Sequence, residues 1–209
     1  MKLDPFYLIV DNAEWIRRLV PLGVKLVQLR IKNKTTAELR VEIRTAREIC
    51  ATHDCQLIVN DHWQLAIEEG CNFVHLGQED LEVADLGAIR AAGLKLGLST
   101  HDDAELETAM AAKPDYIALG PIYPTILKQM KWPPQGLERL RIWKERVGEL
   151  PLVAIGGLNV VRIEGVLFQG ADSAAVVTDI TLNPDPEKRT QQWLAATAPW
   201  REVKMPLNK

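Results

Sequence analysis

Short apolar runs recur along the chain, and each ends in polar residues. The runs lie at about 7–10, 25–29, 56–59, 73–76, 94–99, 116–119, 152–155 and 174–177. They are continuous rather than alternating, as strands buried on both faces of a parallel sheet are. Helical spacing fills the intervals. Trp15, Ile16, Leu19 and Val20 recur with a helical period. Thr35 and Thr36 with Glu38 form a capping signal for a long helix through Ile49, and Asp102 and Asp103 start another over 104–112. Residues 137–147 and 187–196 read as two more. Strand and helix alternating eight times in 209 residues predicts an α/β protein, a single-domain (β/α)8 TIM barrel over 1–209. A doubly wound open sheet is the alternative. The lack of Gly-x-Gly-x-x-Gly after the first run counts against it.

One irregular piece stands out, at 121–135 after the sixth run, with prolines at 121, 124, 133 and 134. A connection of that length predicts a functional lid or a segment mobile when empty. A tail is expected from about 201 to 209.

Composition narrows the function. With 47% apolar and 25% charged residues the chain can bury a full core, and a net charge of -3 argues against bulk nucleic-acid binding. Affinity for phosphate must then come from a local site. Cys50, Cys55 and Cys71 are odd in number and lack a zinc spacing, so reduced thiols in a cytoplasmic protein are expected. Asp4 and Asp11 flank a short apolar run that is no secretory core. No run approaches the roughly 20 apolar residues of a membrane span.

The polar residues at the run ends carry the chemistry. In a strand, positions two apart share a face, so Gln28, Arg30 and Lys32 line one side of the barrel mouth. Arg as a planar fork and Lys as a point charge suit a phosphate or pyrophosphate. The plain alternative is a solvated strand end with a salt bridge. Asp61 after the third run and Asp80 past the fourth could approach each other, which suits Mg²⁺ with substrate oxygens. Alternatively, Asp61 caps the helix starting near His62. His62, His75 and His101 lack a metal spacing. His75, inside a buried run, reads as a satisfied core histidine, and His101 could shape the pocket. Gly156-Gly157 and Val177-Thr178 follow the last two runs, where barrels often hold phosphate. A Gly pair also serves any tight turn. Lys128, in the long connection, is either a cation on a lid or an ordinary surface lysine. The six tryptophans read as packing, except Trp132, for which the pattern reveals no place.

Six strings in order carry a resemblance: Gln28-Leu29-Arg30-Ile31-Lys32, Ile58-Val59-Asn60-Asp61, Val74-His75-Leu76-Gly77-Gln78-Glu79-Asp80, Gly97-Leu98-Ser99-Thr100-His101, Gly120-Pro121-Ile122-Tyr123-Pro124-Thr125 and Val153-Ala154-Ile155-Gly156-Gly157. The chain resembles the thiamine phosphate synthase family from residue 7 to about residue 180. That resemblance implies a (β/α)8 barrel that joins hydroxymethylpyrimidine pyrophosphate to a thiazole phosphate with Mg²⁺ and releases pyrophosphate. It implies that Arg30, Lys32 and Lys128 hold the pyrophosphate and that Asp61 and Asp80 bind the metal. Gln28, Asn60 and Ser99 would contact the pyrimidine. Thr125, Gly157 and the backbone at Val177 and Thr178 would hold the thiazole phosphate.

The family loop usually reads Pro-Thr-x-Thr-Lys, and here Leu127 replaces the second hydroxyl. A lost hydrogen bond to a charged group is worth about 1.5–3 kcal/mol, or about ten- to a hundredfold. Thr178 stands where serine is common, and Asp179 beside it brings negative charge toward a phosphate site. Two other readings fit the scaffold: a metal-independent thiazole tautomerase, or a thiazole phosphate binder without turnover. Oligomeric state is open at this level.

Overall fold

The structure is a computed structural model that describes residues 2–125 and 131–202. Its strands are β1 (Phe6–Val10), β2 (Leu26–Leu29), β3 (Gln56–Asn60), β4 (Phe73–Leu76), β5 (Lys95–Thr100), β6 (Tyr116–Leu119), β7 (Leu152–Ile155) and β8 (Ser173–Val176). All neighbours are parallel, and β8 pairs with β1 to close the barrel in chain order. Each strand coincides with one of the expected runs. The connecting helices are α1 (Ala13–Leu19), α2 (Thr36–Thr52), α3 (Trp63–Glu68), α4 (Gln78–Val83), α5 (Leu86–Ala91), α6 (Asp103–Ala111), α7 (Gly136–Val147), α8 (Ile163–Phe168), α9 (Thr178–Thr181) and α10 (Pro186–Glu202).

Strand parity sets the layers. Phe6, Leu8 and Val10 face the helices, while Tyr7 and Ile9 face the barrel interior. The interior cluster continues through Leu26, Ile58, Phe73, Tyr116, Ala118, Val153 and Ala175. Gln28 shares the face of Leu26, so the same parity carries Arg30 and Lys32 to the inner rim. Register confirms the closure: Ile9 opposes Gln28, Asn60 opposes His75, and Gly97 opposes Tyr116.

Local caps hold the helices where the sequence predicts them. The Thr35 hydroxyl accepts from Glu38 N at 3.3 Å, and Glu38 accepts from Thr35 N at 2.8 Å, a reciprocal capping box. Asp102 caps α6 by accepting from Glu105 N at 3.0 Å. Two expectations need correction. α2 runs past Ile49 to Thr52, where Asp54 with φ 50° ends it and Cys55 N donates to Cys50 O at 2.9 Å. α10 runs past residue 196, where the expected last helix ended, to Glu202. There Arg201 Nε donates to Asp4 Oδ2 at 2.8 Å, which ties the last helix to the start of β1. Cys50, Cys55 and Cys71 are free thiols. No described helix is long and apolar enough to cross a membrane.

Candidate active site

Closure of the barrel gathers the sequence-predicted residues at the carboxyl ends of the strands. Gln28, Arg30 and Lys32 extend from β2, Asn60 and Asp61 from β3, and Asp80 sits in the first turn of α4 after β4. Ser99 is near the end of β5, Thr125 follows β6, Gly157 follows β7, and Val177-Thr178 follow β8. Lys128 and Leu127 lie outside the described residues, as does the middle of the expected lid.

Asp61 is not a cap. The cap position of α3 is His62, and no side chain caps that helix. Asp61 instead takes a left-handed backbone, φ 63°, and its carboxyl meets that of Asp80. Burial, with the Asp80 charge and hydrogen bond next, raises the Asp61 carboxyl from 3.8 to about 6. Lys32 and Arg30 oppose that rise, so both cations act across the mouth on the same carboxylate. Neither Arg30 nor Lys32 forms a salt bridge among the described residues, while the neighbouring Lys34 pairs with Glu42; Lys32 is exposed at this strand end. Asp61 and Asp80 are the residues here that could hold a divalent ion, and Arg30 and Lys32 face them with charge suited to an anionic ligand. Among the described residues no cluster of three or more His, Cys, Asp or Glu forms, so substrate and water oxygens would complete the shell.

Below the rim, one polar line crosses the apolar interior. Gln28 Nε2 donates to the Tyr7 hydroxyl at 2.8 Å, which lies 3.0 Å from the Tyr116 hydroxyl. Tyr116 Oη is 2.7 Å from His75 Nδ1, and His75 Nε2 is 2.8 Å from Ser99 Oγ. His75 is thus the satisfied core histidine its position predicts, and burial lowers its imidazole from 6.5 to about 3. Gln78 Nε2 donates to Ser99 O at 2.6 Å and pins the end of β5. Sequence reasoning missed Tyr7 and Tyr116, which look like ordinary core aromatics in apolar runs.

The β6 and β7 ends form the other half of the mouth. Gly156 and Gly157 have φ 98° and 65°. A Cβ on Gly157 would lie 2.4 Å from Pro124 O, and one on Gly156 would lie 2.6 Å from Pro121 Cα. The glycine pair therefore does more than turn the chain: it lets the β7 end pack on the segment that delivers Thr125. Gln135 N donates to Pro121 O at 2.7 Å and Gly136 N to Ile122 O at 3.0 Å, which joins the two stems of the long connection. Trp132 finds its place here. Its ring stacks on His101 at 4.1 Å and 12°, and its Nε1 donates to Asp102 Oδ2 at 3.1 Å. Asp179 has an account as well. It accepts from Trp193 Nε1 at 2.8 Å and lies 3.7 Å from Arg189, so its charge is committed to α10.

Comparison with known proteins meets this geometry. The sequence pattern of the family described as thiamine monophosphate synthase matches residues 6–180. The chain is 71% identical over 203 residues to a thiamine-phosphate synthase of Rhizobium etli, covering 97% of this chain and 100% of that one. The chain belongs to the thiamine-phosphate synthase family. Its activity is accordingly that of a thiamine-phosphate synthase, in thiamine biosynthesis. A thiamine-phosphate synthase of Cronobacter sakazakii is 50% identical over 188 residues, 90% of each chain. Among solved structures, a thiamine phosphate pyrophosphorylase of Pyrococcus furiosus superposes with a TM-score of 0.84 at 29% identity, covering 94% of this chain and 96% of that one. The family match ends within α9, so all of α10 lies beyond it.

Proposed function

We propose that this synthase works as a Mg²⁺-dependent transferase that joins hydroxymethylpyrimidine pyrophosphate to a thiazole phosphate. The observation that carries this reading is the Asp61–Asp80 pair facing Arg30 and Lys32, with burial and Asp80 raising the Asp61 carboxyl to about 6. Asp61 and Asp80 would hold Mg²⁺, which when bound neutralises charge on the pyrophosphate oxygens. Arg30, Lys32 and Lys128 bind the same pyrophosphate. Gln28, Asn60 and Ser99 orient the pyrimidine at the inner rim, where Gln28 and Asn60 are 3% and 5% exposed. Thr125, Gly157 and the backbone at Val177 and Thr178 hold the thiazole phosphate across the mouth.

The bond between the pyrimidine methylene carbon and the pyrophosphate oxygen breaks, and its electron pair leaves with pyrophosphate. Arg30 and Lys32 stabilise that developing charge. The thiazole nitrogen then donates its lone pair to the methylene carbon and becomes a thiazolium. No proton need move in this step. Holding both substrates in one preset geometry contributes by orientation. Small molecules are the partners, in the cytoplasm, where three free thiols are at home.

A metal-independent tautomerase would have no use for Arg30, Lys32, Asp61 and Asp80 together. The deciding experiment incubates both substrates with and without Mg²⁺ and follows pyrophosphate release. Release that needs Mg²⁺ is expected. Isomerisation of the thiazole phosphate without Mg²⁺, and no coupled product, would overturn the proposal.

A further inference from the structure

The end of the barrel opposite the mouth gathers positive charge. The starts of β1 to β5 and the end of α10 surround a cavity of about 360 Å³. Lys2, Lys25, Lys95 and Arg201 line it against one carboxylate, Asp4, in a chain whose net charge is -3. Arg201 is spent on Asp4, with hydrogen bonds of 2.8 and 3.1 Å. The three lysines are less committed. Lys2 Nζ donates to Arg201 O, a neutral carbonyl. Lys25 Nζ donates to His53 O at 2.9 Å, and its carboxylate partner, Asp54, stands 3.5 Å away with its side chain open to solvent. Lys95 forms no salt bridge among the described residues.

Strand parity puts Lys95 on the inner face. Leu96 and Leu98 pack toward the helices, so Lys95 shares the inward side of β5 with Gly97 and Ser99. It opposes Phe73 in register. Leu3, Leu26 and Phe73 belong to the interior cluster and give the cavity an apolar wall beside its cations. Gln56 fixes that wall between β3 and β4: its Nε2 donates to Leu57 O and to Asn72 Oδ1, each at 2.8 Å. Charges that serve stability alone are paired, as Arg201 and Asp4 are. Lysines gathered round one cavity repel one another, and a cleft lined by one sign of charge concentrates the opposite ion.

We propose that the base of the barrel holds a second anion site, in which Lys95, Lys25 and Lys2 bind the diphosphate group of a small molecule whose ring rests on Leu26 and Phe73. Each lysine offers a compact charge with three donors, which suits oxygens that are not held in one plane. The volume falls at the lower end of the range for small-molecule sites, enough for one ring with its phosphates. The site is separate from the mouth. Lys95 and Ser99 lie four residues apart on β5, about 13 Å along the strand. It does not depend on the catalytic roles proposed above.

The test follows backbone amide signals of the full chain by nitrogen-15 NMR, in chelator and at low salt. ADP and inorganic pyrophosphate are the probes, the second lacking a ring. ADP is expected to move the amides of Lys25, Leu26, Phe73 and Lys95, with half-saturation on the order of 1 mM or below. Pyrophosphate should move the same amides at least about threefold more weakly. Lys95→Ala should weaken ADP at least about tenfold, Lys95→Arg should keep it, and neither should change coupling activity. Base amides that stay still for both probes up to about 10 mM overturn the proposal, as do movements confined to the mouth around Arg30 and Lys32. ADP binding unchanged in Lys95→Ala overturns it too. Pyrophosphate binding as tightly as ADP removes the ring from the assignment, and coupling activity lost in Lys95→Ala removes the separation from the mouth.

Discussion

Replacing Asp61 with Asn removes one of two charges that crowd each other in the metal-free mouth. The Asp61 carboxyl is raised from 3.8 to about 6 by burial and by Asp80. Because the folded pKa lies above the unfolded one, the native state gains most below about pH 4, and the gain is lost as pH rises through about 6. At about 1.4 kcal/mol per pKa unit, the upper bound is about 3 kcal/mol. The carboxylate is still partly exposed, and solvent screening reduces this to about 1 kcal/mol. For a domain of this size that is about 2–4 °C in Tm. Asn also tolerates φ 63° better than most residues, but that benefit does not depend on pH. The quantity to measure is therefore the Tm of Asp61→Asn minus that of wild type, in chelator, at pH 4.5 and pH 8. It should be more favourable to the variant by about 2–4 °C at pH 8. Added Mg²⁺ at pH 8 should raise the wild type and not the variant, while coupling activity falls at least about a hundredfold in the variant. A Tm difference that is the same at both pH values, or an equal Mg²⁺ shift in both proteins, would refute the crowded-carboxylate argument.

Three further outcomes are expected. Mg²⁺ affinity of the wild type, measured by calorimetry, should weaken as pH falls below about 6, because the proton on Asp61 competes with the ion; a flat profile down to pH 5 would contradict this. Gly157→Ala forces a Cβ to 2.4 Å from Pro124 O at φ 65°, so KM for the thiazole phosphate should rise at least about tenfold with KM for the pyrimidine pyrophosphate little changed. Trp132→Ala loses the stack on His101 and the bond to Asp102, and kcat should drop about tenfold with a Tm loss of only a few degrees; Trp132→Phe, which keeps the stack, should recover most of the activity.

Much of this protein is legible along the chain. Continuous apolar runs identify all eight strands, because a strand covered on both faces needs apolar residues at every position. Thr35 with Glu38, and Asp102, identify helix starts, because a cap is made within three residues. The period of two places Gln28, Arg30 and Lys32 on one face before any sheet is drawn. Shorter helices such as α4 and α5, six residues each, escape that reading because they offer too few positions for a periodic pattern. Other features exist only once the barrel closes. Whether Asp61 caps α3 or meets Asp80 depends on β3 lying beside β4. Whether Asp179 burdens a phosphate site depends on Trp193 and Arg189 arriving from α10. Trp132 acquires a role because the return stem of its connection reaches His101. Tyr7 and Tyr116 are 109 residues apart and become one hydrogen-bonded line only across the interior. Periodicity and capping are set by neighbours in sequence and survive in the bare string. The pairing of charges and the joining of a buried hydrogen-bond chain are set by neighbours in space, which closure alone creates.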